Sequence, residues 1–103
     1  MPIGDFINVL PPPVFLAIHL TAFAIGAYFA WRSFEADASL LGWAFTLFAA
    51  AELTYMTYHL DWTVILFAHT IAEVFDLLAF VLVFAAATRG VTARLRADEG
   101  GGA

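Results

Sequence analysis

Residues 63–88 read TVILFAHTIAEVFDLLAFVLVFAAAT. At ~1.5 Å of helical rise per residue this stretch can cross the ~30 Å hydrocarbon layer of a bilayer. Its only His, Glu or Asp residues are His69, Glu73 and Asp76. Two other runs have the same character, residues 14–31 (VFLAIHLTAFAIGAYFAW) and 40–60 (LLGWAFTLFAAAELTYMTYHL), and each is close to the ~20 residues that a transmembrane helix needs. The chain therefore reads as an all-α integral membrane protein with three transmembrane helices, 14–31, 40–60 and 63–88. Residues 1–13 precede them as an interfacial segment and residues 89–103 follow as a cytoplasmic tail.

Composition agrees. Of 103 residues, 63% are hydrophobic and 13% charged, so a soluble domain would have to leave broad apolar patches in water. The lack of Cys excludes disulfides, thiolate metal sites and thiol catalysis, which leaves any metal to nitrogen and oxygen ligands. A net charge of −5 with no Lys argues against nucleic acid as a partner and against a polybasic hold on anionic lipid.

The connections are short. Pro11, Pro12 and Pro13 are suited to start the first helix, Asp5 to cap a short turn before them, and Ser39 to cap the second helix. Residues 61–62 form the second connection. Arg89 and Gly90 end the third span, with a fraying turn and a Gly-rich disordered tail beyond. Orientation follows from the four Arg alone: Arg32 in the first loop and Arg89, Arg94 and Arg96 after the third helix share one side. The expectation is an N-terminus outside and a C-terminus inside, in the plasma or inner membrane. Trp31 and Trp43 then mark the inner boundary and Trp62 the outer one. With no basic residue before the first helix and no small-residue cleavage site, that helix reads as an anchor and not as a removed signal peptide.

The informative residues are six ionisable groups within these runs: His19, Glu52, His59, His69, Glu73 and Asp76. A charged residue at a helix centre costs roughly 2.5–3.5 kcal/mol even on insertion scales, so such groups face a partner, a cavity or a cofactor. His69, Glu73 and Asp76 fall at i, i+4 and i+7 on one stripe, and Glu52, Tyr55 and His59 at i, i+3 and i+7 on another. Helix one carries His19 on the face of its small-residue ladder, Ala22, Gly26 and Ala30. The three stripes are expected to meet at one interior. Helical rise puts His19 and His69 nearly level, about 7.5 and 9 Å below the outer boundary, with Glu52 at about 12 Å, Glu73 at about 15 Å and Asp76 at about 20 Å. Thr21, Thr54, Thr57, Thr70, Tyr55 and Tyr58 can supply hydroxyls around them.

Three readings compete for this cluster. In the first, His19, Glu52, His69 and Glu73 ligate a transition metal (Zn, Fe, Mn or Cu), or His19 and His69 ligate haem b axially, with Tyr55, His59 and Asp76 in support. Three helices enclose too little volume for a haem, which would have to sit between protomers. In the second, the chain is an accessory subunit of a membrane complex whose polar residues only pack and hydrogen-bond across helices. In the third, groups at stepped depths conduct protons or ions. All three place the chain in the lipid bilayer as a homo-oligomer or beside other membrane subunits. The eleven Phe read as packing and lipid-facing bulk, and no substrate or catalytic signature marks an enzyme.

Overall fold

The computed structural model describes residues 3–101, and every regular element among them is helical. A 3₁₀ turn, Asp5–Val9, precedes three α-helices: α1 (Pro12–Glu35), α2 (Ser39–His59) and α3 (Ile65–Gly101). All three are long and apolar enough to cross a membrane, as expected of a multi-pass membrane protein.

Local chemistry explains where the helices start and stop. Pro12 and Pro13 occupy the first helical positions of α1, where a missing N–H costs nothing and φ is preset. α1 and α2 end alike. Asp37 and Asp61 take left-handed backbone with φ of 60° and 61°, which short polar side chains tolerate better than most residues. At the first of these ends Asp37 N–H donates to the Phe34 carbonyl at 3.1 Å and Ala38 N–H to the Ser33 carbonyl at 2.8 Å. At the second, Asp61 N–H donates to Tyr58 at 3.0 Å and Trp62 N–H to Thr57 at 2.9 Å. Both chain reversals are therefore Schellman-type stops built around an aspartate.

Some boundaries differ from the sequence reading. α1 runs past Trp31 to Glu35, and Phe34 from this extra turn covers Gly42 of α2, where an added Cβ would lie 2.6 Å from its ring. Ser39 does not cap α2: the Ala38 carbonyl already accepts from Gly42 N–H at 2.9 Å, so the first turn closes one residue earlier. Asp5 is the first residue of its turn and accepts from Asn8 Nδ2 at 2.9 Å. α3 continues through Arg89 and Gly90 to Gly101. Ala93, Arg94, Leu95 and Arg96 are strong helix formers, and one interior Gly costs only about 1 kcal/mol.

The interhelical seams are built from small residues. Gly26, Ala30, Gly42, Ala44, Ala49, Ala51, Ala68, Ala72 and Ala79 are buried, and no large side chain among the described residues is fully enclosed. Small residues let helix backbones approach closely, which substitutes for a bulky core where the surroundings are apolar. α1 and α3 each pack on α2 and not on each other. The single interior expected from three converging stripes is replaced by an open groove with α2 as its floor and α1 and α3 as its walls. At one end of the molecule the 3₁₀ turn meets the end of α2 around His59 and Asp61; at the other, Arg89 faces the Asp37–Leu41 connection.

Candidate functional site

His19 of α1 and Glu52 of α2 meet across the first seam, Nδ1 to Oε2, at 2.5 Å. This is the one ion pair among the described residues, and its side chains are only 20% and 15% exposed. Whichever partner holds the proton, the bond involves a charged or strongly polarised group and ranks among the stronger kinds. The imidazole of His19 is also held by its faces. Tyr55 stacks on it with ring centroids 5.1 Å apart, and His59 with centroids 5.2 Å apart. His59 in turn stacks on Phe15 at 4.9 Å with nearly parallel rings and meets Tyr58 edge-on.

This file of rings has a simple origin in the helical repeat. Phe15 and His19 are four residues apart on α1, and Tyr55 and His59 four apart on α2, so each helix presents two rings one turn apart. Antiparallel packing interleaves them. His59 and Phe15 also line a pocket of about 360 Å³ beside the 3₁₀ turn, together with Asn8, Tyr58 and Asp61.

α3 contributes differently. Its buried face is Ala68, Ala72 and Ala79, whereas His69 and Glu73, each one position further round, are exposed and Asp76 is partly buried. The carboxyl of Asp76 lies within electrostatic range of those of Glu52 and Glu73. Tyr55 neighbours both His19 and His69, its ring centroid 5.1 Å from the first and 6.5 Å from the second. Beyond Asp76, away from His59, the groove becomes apolar and encloses about 360 Å³ against Phe29, Phe45, Phe48 and Phe80.

The expected residues are thus partly assembled. His19, Glu52, Tyr55 and His59 form one constellation; Asp76 is within electrostatic range of Glu52 and Glu73 without bonding to either, and His69 neighbours Tyr55. Among the described residues no three His, Asp or Glu side chains converge as metal ligands. The four proposed ligands, His19, Glu52, His69 and Glu73, do not form such a set, and Tyr55 packs beside both of the histidines expected as haem ligands. Three of the six expected hydroxyls are committed locally: Thr21 and Thr54 donate to carbonyls one turn back, and Thr57 bonds the Thr54 carbonyl and the Thr63 hydroxyl.

Sequence reasoning missed Phe15, although it extends the stripe of His19, Ala22, Gly26 and Ala30 by one turn. It also missed the aromatic groove. The available signal was Gly26, whose absent side chain is the space into which Phe48 fits. Compared with known proteins, the chain matches no family model, no curated protein and no solved structure.

Proposed function

We propose that this chain is a proton-binding subunit of a cell membrane, taking protons from the outer side at His59, holding them on the His19–Glu52 pair and presenting them to Glu73 and Asp76 near mid-bilayer. The observation that carries this reading is the 2.5 Å bond between two titratable side chains on different helices, with a second imidazole, His59, stacked on the ring of His19. Face-to-face imidazoles repel when both are charged, and a carboxylate in contact with one of them offsets that repulsion. The bond occupies Nδ1 of His19 and leaves Nε2 to the stacked neighbours, and proton binding uses the geometry as it stands.

Infrared difference spectroscopy of the reconstituted protein tests this. Acidification should produce a protonated-carboxyl band that Glu52→Gln removes. His59→Phe, which retains a flat ring against Phe15, should slow the appearance of that band without changing its size. A band and rate unchanged in both variants would overturn the proposal.

The reading includes a partner. His69 and Glu73 are exposed on α3, and a charged group facing lipid costs roughly 2.5–3.5 kcal/mol, so a second copy or another membrane subunit covers them. It also fixes a direction. Cysteines introduced as Asp5→Cys and Asp61→Cys should react with an impermeant thiol reagent on intact cells and Thr92→Cys should not, because the four Arg lie at the opposite end from His59. The reverse labelling pattern would invert the proposed side of proton entry.

A further inference from the structure

α3 turns two ionisable side chains away from its own seam. Ala68, Ala72 and Ala79 face α2, and at about 100° of rotation per residue His69 and Glu73 lie about 80° and about 120° round from the middle of that face. Both are exposed, and among the described residues neither has a hydrogen-bond or ion-pair partner. They stand one turn apart without bonding to each other, and the order with the carboxylate nearer the C-terminus is the less favourable one along a helix.

Whatever covers this stripe must offer an acceptor to the imidazole and a donor to the carboxyl, and the hydrocarbon layer supplies neither. A second copy of this chain brings both. Copies inserted with one topology are related by a two-fold axis along the membrane normal, so the two α3 helices run parallel and use the same stripe. His69 and Glu73 differ by about 40° in rotation, one on each flank of the contact line. The two-fold then sets His69 of each copy opposite Glu73 of the other. Their heights differ by about 6 Å, an offset similar to that between the g and e side chains that pair across parallel coiled coils. Phe80 lies on the same line two turns further in and is exposed, as a ring in the contact would be in a single copy.

We propose that this stripe of α3 is a homodimer interface in which His69 and Glu73 of two copies bond reciprocally across a two-fold axis. A different subunit would need its own matched pair at the same two heights; a second copy supplies it by symmetry. The inference rests on the proposed function for the placement of α3 in lipid, where Glu73 is also a proton acceptor, and it does not use the His19–Glu52 bond.

Exchanging the charges between two copies makes the test. Association of the full-length protein in proteoliposomes is read by energy transfer between donor-labelled and acceptor-labelled copies. The wild type should pair. His69→Glu leaves two carboxyls on the stripe and Glu73→His two imidazoles, so each variant alone should associate about tenfold more weakly or worse. An equal mixture of the two should pair as well as the wild type, because each mixed dimer regains both His–Glu contacts. Both positions are exposed, so the circular dichroism spectra should match that of the wild type. The chain has no Cys, and single cysteines therefore report the contact directly: Phe80→Cys should form a disulfide-linked dimer on oxidation, whereas Leu78→Cys, exposed about 160° round the helix, should not. A monomeric wild type, single variants that pair as tightly as the wild type, a mixture that does not recover, or equal cross-linking through Leu78→Cys would each overturn the interface. A dimer that passes these tests but lacks the Glu52-dependent infrared band would overturn the proton reading alone, so the two failures are distinct.

Discussion

His19→Leu should destabilise the protein by about 3 kcal/mol or more, a large effect for one side chain on a helical seam. The loss does not come from packing, since Leu fills the position and suits an apolar seam. It comes from Glu52, left about 85% buried without the nitrogen that now meets it at 2.5 Å. Glu52→Leu should cost a similar amount by stranding the imidazole. The double variant should recover most of the loss, because two apolar residues in contact leave nothing unsatisfied. Unfolding in mixed micelles with increasing SDS measures all three. A coupling energy at or below about 0.6 kcal/mol would reduce the pair to an ordinary interhelical polar contact.

Gly26→Leu should have the second largest effect, and for the opposite reason. Even a Cβ at this position would lie 2.8 Å from the ring of Phe48 and 3.5 Å from the Ala49 methyl, and Leu adds three more carbons. Phe48 cannot yield without leaving the groove floor, so α1 and α2 must separate, at a cost of about 1–3 kcal/mol. His19 lies seven residues away on the same face, so the separation should also lengthen the His19–Glu52 bond. The variant should therefore lose the Glu52-dependent infrared band as well as stability. Gly90→Leu is the control, since a Cβ there meets nothing within 4 Å. Wild-type helix separation and an intact band in Gly26→Leu would show that the close approach at Gly26 does not support the pair.

The two seams of the fold differ in how readable they are. The first was legible because Gly and Ala recur at four-residue spacing: Gly26 and Ala30 are buried where the ladder places them. The start of α1 was legible because proline permits little else at Pro12 and Pro13. The arrangement of the ionisable groups was only partly legible. Depth arithmetic put His19 and His69 level and suggested a pair, but depth says nothing about rotation around the helix axis. α3 turns Ala68 and Ala72 to α2, and this puts His69 one position away from the seam, beside Tyr55. Periodicity alone could not distinguish an enclosed three-helix interior from an open groove. That choice depends on α1 and α3 both packing on α2, a relation between elements remote in sequence. The length of α3 was missed because the apolar run stops at Thr88, whereas helix formation depends on the backbone and on residues such as Ala93 and Leu95, which do not require a membrane.

That length has a mechanical consequence. At ~1.5 Å per residue the 37 residues of α3 measure about 55 Å, nearly twice the thickness of a hydrocarbon layer, and the molecule is 65 Å along its longest axis. The Arg-bearing end is thus an unbroken rod projecting about 20 Å past the apolar run, with no hinge between it and Asp76. A rigid rod converts a small tilt about Asp76 into travel at its tip, roughly 6 Å for a tilt of roughly 10°. Any rearrangement at the carboxyls that rocks α3 against α2 is therefore carried, enlarged, to residues 89–101.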